Sequence, residues 1–212
     1  PTRNLVEVPD SISFNHAALA EPLAVCWHAV RLGQEALHKN LSKTRCLIIG
    51  GGAIGVGSAL SLRAKGVKDI AISEPNAGRR KVLKTLGEFK VYNPQDGHGP
   101  TSRYDLIVDA VGFSGSRADA CALTKPGGVI VHIGLGGNNG GLDIRRLTLQ
   151  EIKFIGTYTY TKQDFEDTAQ AIFDHKFGDL GWIETRALNK GATAFADIIA
   201  GRVAAPKIVL NP

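Results

Sequence analysis

The sequence predicts an α/β fold, a doubly wound parallel sheet of six strands, on three observations. From Arg45 onward, short β-branched runs alternate with amphipathic stretches, the rhythm of βαβ units. Two of the runs, around Leu106-Ile107-Val108 and Val129-Ile130-Val131, are continuously apolar, as strands buried on both faces are. Gly66 and Gly87 stand just past helix-compatible segments, where glycine accepts the left-handed backbone of a helix stop.

Taken in order, residues 1–33 contain one helix, Pro22 to Leu32, with proline at the first helical position, where its missing N–H costs nothing. Strands follow at Cys46 to Ile49, Asp69 to Ser73, Lys90 to Tyr92, Asp105 to Val111 and Gly128 to Ile133, with a sixth inside Glu151 to Tyr160. The helices between them are Ala53 to Lys65, Ala77 to Leu86 and Ser116 to Thr124, the last stopped by Lys125-Pro126-Gly127-Gly128. Residues 183–212 read as strand, helix and strand: Leu188, Ala192, Phe195, Ile198 and Ile199 form a helical stripe, and Lys207-Ile208-Val209-Leu210 closes the chain. The flanks 1–33 and 183–212 stand outside the rhythm of 34–182 and are expected to pack together as parts of a second domain.

Composition removes several function classes. With 212 residues, 43% hydrophobic and 21% charged, the chain is globular rather than disordered or fibrous. No apolar run nears the ~20 residues that span a bilayer. Cys26, Cys46 and Cys121 are too scattered for a disulfide framework or a CxxC knot, which fits a reducing, cytoplasmic setting. The net charge is +5, yet its cations occur as separate pairs such as Arg79-Arg80 and Arg145-Arg146, so no nucleic-acid partner is expected. The chain starts Pro1-Thr2-Arg3, contains no Met and shows no signal peptide, so it is expected to be a piece of a longer polypeptide.

The densest chemistry is Gly50-Gly51-Gly52-Ala53-Ile54-Gly55, a GxGxxG between a buried strand and a helix, with Glu74 at the end of the next strand. Gly50 permits the tight turn, Gly52 lets a pyrophosphate approach the backbone, and Gly55 lets helix and strand pack closely. The free amides of the helix start then face the phosphates. Glu74 can accept both ribose hydroxyls and would repel a 2′-phosphate, which favours NAD over NADP. Arg79, Arg80 and Lys81 argue the other way, although Arg80 and Lys81 read as solvated charges at a helix start. Three other strand ends open on the same crevice: Val111-Gly112-Phe113, Ile133-Gly134-Leu135-Gly136-Gly137 and Tyr158-Thr159-Tyr160. Their small residues leave room for a flat ring and expose backbone groups to its carboxamide.

These features, with Ala20-Glu21-Pro22-Leu23 near the start, Lys125-Pro126-Gly127-Gly128 and the closing Lys207-Ile208-Val209-Leu210, occur in an order that resembles the zinc-dependent medium-chain alcohol and polyol dehydrogenases, nearest the sorbitol dehydrogenase branch. The resemblance runs over essentially the whole chain. It implies a Rossmann-type NAD-binding domain at 34–182, with 1–33 and 183–212 as remnants of a GroES-like catalytic domain. It also implies cofactor contacts at Ile54, Glu74, Arg79, Ile133-Gly134-Leu135 and Tyr158-Thr159-Tyr160. Glu21 matches the family's zinc-shell glutamate, although a carboxylate at a helix N-terminus is also stabilised without metal. The family's main zinc ligands, a Cys and a His, match nothing here, and His16, His28 and His98 do not replace them, because zinc needs about three protein ligands.

The implied function is hydride transfer from a secondary alcohol or polyol to NAD in a full-length, zinc-containing enzyme, with this chain alone binding cofactor and catalysing nothing. Thr159 stands where sorbitol dehydrogenases carry an arginine, which opens the substrate to simple secondary alcohols, sugar acids and amino alcohols. A zinc-free quinone or enone reductase, or a module that only senses the nucleotide, is the alternative. The resemblance further implies a homodimer or homotetramer through the cofactor domain, pairing at the edge formed by the fifth and sixth strands and Leu142 to Leu149.

Overall fold

The computed structural model describes residues 2–96 and 104–212, so His98 lies outside the described residues. Six parallel strands, β1 (Arg45–Ile49), β2 (Asp69–Ser73), β3 (Lys90–Tyr92), β4 (Tyr104–Asp109), β5 (Thr124–His132) and β6 (Lys153–Gly156), form one sheet in the order β3-β2-β1-β4-β5-β6. The chain starts in the middle, winds out to β3, then returns beside β1 to lay down β4. The order therefore reverses between β1 and β4, which leaves a crevice at their carboxyl ends.

Among the described residues, seven α-helices accompany the sheet: α1 (Phe14–Ala17), α2 (Ala20–Ala36), α3 (Ala53–Ala64), α4 (Ala77–Thr85), α5 (Ser114–Leu123), α6 (Ile144–Leu149) and α7 (Lys162–Phe173). Alternate residues of each strand enter opposite cores, the period of two that a pleated strand imposes. Cys46, Ile48, Ile70, Ile72, Leu106, Val108, Val129 and Val131 pack in a cluster with Leu23, Ala29 and Val30 of α2, Leu60 of α3 and Ile172 of α7. Leu47, Ile49, Ala71, Ile107 and Ile130 face the other way, with Ala120 and Cys121 of α5. The last segment forms β7 (Ile183–Ala187), α8 (Gly191–Ile199) and β8 (Lys207–Asn211), with β7 and β8 paired in parallel as a separate two-stranded sheet.

Several expected boundaries shift for identifiable reasons. Helix α2 runs past Leu32 to Ala36 and begins at Ala20, so Pro22 is its third residue rather than its first; the N–H it lacks is still one that the first turn leaves unbonded. The proposed domain boundary at 33/34 thus falls inside this helix, whose Gly33 lies against the sheet: a Cβ there would come 2.9 Å from Leu106 Cδ1. Strand β4 stops at Asp109, two residues early, because the Asp109 carboxylate takes the amides of Val111 and Gly112 (3.0 and 2.9 Å) and turns the chain. Lys125-Pro126-Gly127-Gly128 lies inside β5 as a bulge, with Gly127 at φ +69 and the pairing jumping from Tyr104↔Thr124 to Leu106↔Val129. Strand β6 is shorter than expected and ends at Gly156. The sequence expectation holds no helix at α7, which starts at a capping box of Thr161 and Asp164.

Candidate functional site

The glycine loop sits at the carboxyl end of β1. Gly50 has φ +98 and donates its N–H to the Ser73 carbonyl at 2.8 Å, which bends the chain sharply out of the strand. A Cβ on Gly55 would lie 1.8 Å from the Gly50 carbonyl oxygen, so the start of α3 is held against the turn at a distance only glycine allows. Gly52 is the N-cap of α3 and offers no side-chain cap, while a Cβ built on it would meet nothing within 4 Å. Ala53 and Ile54, half-buried, open the first turn. The unbonded amides of this turn therefore border open space, the arrangement that receives an anion.

Glu74, 3% exposed, ends the stretch after β2 and reaches back to the loop. Its two oxygens accept from Gly51 N (2.8 Å) and Asn76 N (2.6 Å). Each carboxylate oxygen still has accepting capacity, so Glu74 couples the glycine loop to the end of β2 rather than standing free. Asn76 caps α4 by accepting from Arg79 N at 3.0 Å. The Arg79 Nε atom is buried with no hydrogen-bond partner. Arg80, expected as a solvated charge, instead donates to the carbonyls of Glu74 and Pro75.

The ends of β4 and β5 interlock. Ile133 N and Gly134 N both donate to the Asp109 carbonyl at 3.0 Å, so those two amides are already engaged. Val111 and Gly112 accept from Gly136 N and Gly137 N at 3.0 and 2.9 Å. A Cβ on Gly134 would lie 2.2 Å from the Val111 carbonyl carbon, which accounts for a glycine there. Leu135 is 86% exposed at the crevice. Asp109, wholly buried, is the organiser that sequence reasoning missed: besides two amides it accepts from Ser116 Oγ at 3.0 Å. An acid closing the apolar run Leu106-Ile107-Val108 was the signal that could have found it.

The segment after β6 brings Tyr158, exposed, and Thr159, at φ +54, to the same end of the sheet. Tyr160 stacks on Phe165 with centroids 5.8 Å apart. Burial pushes its phenol up, and the neighbouring Glu21 carboxylate adds to the effect, so the fold joins two candidate residues far apart in the sequence. Glu21 itself is exposed in the first turn of α2. Among the described residues no group of three or more His, Cys, Asp or Glu could hold a metal ion. His28 is instead paired with Asp164 (2.8 Å), and all three cysteines are free and buried, with desolvation pushing the Cys26 and Cys46 thiols up to about 12.

Residues 53–174, more than half of the chain, match the family model described as zinc-binding dehydrogenase. The chain belongs to the zinc-binding dehydrogenase family. It is 29% identical over 207 residues to (R,R)-butanediol dehydrogenase of Saccharomyces cerevisiae, covering 92% of this chain and 52% of that protein. Sorbitol dehydrogenase of Macaca fascicularis is 27% identical over 164 residues, 73% of this chain and 44% of the relative. The chain thus spans about half the length of the curated relatives it matches. Among solved structures, a short chain alcohol dehydrogenase from Escherichia coli CFT073, complexed with NADH, superposes with a TM-score of 0.87 at 18% identity, covering 100% of this chain and 64% of that one. The likeness confirms the fold: the six-stranded parallel sheet is the Rossmann-type domain of alcohol dehydrogenase structures.

Proposed function

We propose that this chain is the NAD-binding part of an oxidoreductase that moves a hydride from a secondary alcohol or polyol to NAD. The observation that carries the reading is the uncapped start of α3, where Gly52 leaves the first-turn amides facing open space beside Glu74. In this reading Gly50, Gly52, Ala53, Ile54 and Gly55 cradle the pyrophosphate, and Glu74 accepts the adenine-side ribose hydroxyls while holding the loop through Gly51. Arg79, with its buried unpartnered Nε, supplies a donor on the same side. Val111, Gly112, Ile133, Gly134, Leu135 and Tyr158 to Tyr160 border the nicotinamide. Bound NAD supplies the hydride acceptor, and the chain's share is to orient it.

Glu21 is the residue this chain would offer to a zinc shell, with Tyr160 beside it. The described residues do not build that centre, so no step is derived through zinc, and the isolated chain is assigned binding without turnover. Thr159 in place of an arginine argues for substrates that do not need a forked donor. The buried free cysteines favour a reducing, cytoplasmic compartment. The open edge of β6 favours pairing into a homodimer or homotetramer.

Calorimetric titration tests the cofactor assignment. NAD is expected to bind more tightly than NADP, and Glu74→Ser to narrow the gap. Tighter NADP binding to the unaltered chain, or binding of neither, would overturn it.

A further inference from the structure

The stretch after β5, Gly134-Leu135-Gly136-Gly137-Asn138-Asn139-Gly140-Gly141, has five glycines in eight residues. Such a sequence has little conformational preference of its own and loses much backbone entropy when held in one shape. The structure supplies a pin for it. Arg117, on α5, is 6% exposed, and each bond of its guanidinium ends on a backbone carbonyl. Nε donates to Gly140 O (2.7 Å), Nη1 to Gly112 O (2.7 Å) and Gly137 O (2.9 Å), and Nη2 to Asn139 O (2.7 Å). One planar fork therefore spans the segment after β4 and the segment after β5, a job that needs the several fixed donors of arginine rather than the single point of lysine. From the other side, Asp109 fixes Val111, Gly112 and Ser116.

We propose that Arg117 is a positioning residue for the nicotinamide half of the cofactor. It acts through the carbonyls of Gly112, Gly137, Asn139 and Gly140 and holds Val111-Gly112 and Ile133-Gly134-Leu135 as one preorganised shelf. The inference rests on the cofactor reading above. It separates the two halves of the dinucleotide: the pyrophosphate and adenine side depend on the glycine loop and Glu74, and only the nicotinamide side depends on Arg117.

The test compares NADH with ADP-ribose, which lacks the nicotinamide, on the 212-residue chain and on Arg117→Gln and Arg117→Lys. In the unaltered chain NADH should bind more tightly than ADP-ribose, with enhanced nicotinamide fluorescence. Arg117→Gln should weaken NADH about tenfold and abolish the enhancement, while ADP-ribose stays within about twofold. Arg117→Lys should show the same pattern at smaller amplitude, and it decides the matter if the glutamine variant does not fold. Equal weakening of both ligands would mean a purely structural role and overturn the inference, as would no change in either. Equal affinity of the unaltered chain for both ligands would overturn it while leaving the cofactor reading standing. Binding of neither ligand to the unaltered chain would overturn both.

Discussion

A methyl group on Gly55 would have to occupy space 1.8 Å from the Gly50 carbonyl oxygen, and neither backbone can yield without moving α3 off the strand. Gly55→Ala is therefore expected to destabilise the chain by about 2–3 kcal/mol, read as a lower urea midpoint, and to weaken NAD binding in the same preparation. Thr159 presents the opposite case. A β-branched residue at φ +54 sits in a conformation that costs roughly 1–2 kcal/mol. Thr159→Gly should relieve it and stabilise the chain by about 1 kcal/mol after glycine's greater unfolded-state freedom is counted, seen as a thermal midpoint about 2–4 °C higher. An unchanged or lower midpoint would mean that the threonine side chain supports its segment. At this scale the glycine loop and Glu74 were legible because their spacing is local. Arg117 was not, because its partners are carbonyls, which every residue carries.

Among elements, α2 packs against α7, and Glu21 of α2 lies beside Tyr160, two residues before α7. Asp164, 1% exposed, accepts from Arg31 Nε (2.7 Å), His28 Nδ1 (2.8 Å) and Thr161 Oγ1 (2.6 Å), tying the start of α7 to the middle of α2. Burial alone would raise this carboxyl, but the donors from Arg31, Thr161 and His28 outweigh it and hold it well below the usual carboxylate range. A depressed folded-state pKa stabilises the fold above the unfolded value and is lost as pH falls. The contribution should thus be complete above about pH 4 and fade below it. Asp164→Asn is expected to cost about 3 kcal/mol at neutral pH and to flatten the loss of stability below pH 4, checked by urea unfolding across pH. A variant as acid-sensitive as the parent would place that sensitivity elsewhere. The pairing of Arg31 with Asp164 is not legible in the sequence, since the two are 133 residues apart.

For the molecule as a whole, strand order places the site. β1 and β4 become neighbours only because the chain leaves the sheet centre and returns, which gathers residues 50–55, 74, 111–112, 133–135 and 158–160 at one end. The opposite end carries cations that are dispersed in sequence: Lys39 and Lys125 pair with Asp105, and Arg45 and Lys90 with Asp69. No helix among the described residues is long and apolar enough to cross a membrane. Strand β6 ends the sheet, with Ile144 and Leu149 of α6 exposed beside it. If this edge pairs two copies, light scattering should give at least twice the 22.6 kDa chain mass, and a monomer at all concentrations would count against the pairing.

The sequence by itself determined the α/β class, the order of the strands along the chain, the glycine loop and the acidic residue that follows it. These depend on periodicity and on short-range backbone geometry, which a linear pattern records. Only the tertiary structure decided that Glu74 is bound to the loop, that Glu21 meets Tyr160, and that Asp109, Arg117 and Asp164 hold the strand ends and helices in place. Apart from Asp109 with Val111, Gly112 and Ser116, these contacts reach groups distant in sequence. Their partners are set by how the sheet is wound, and no spacing along the chain encodes them.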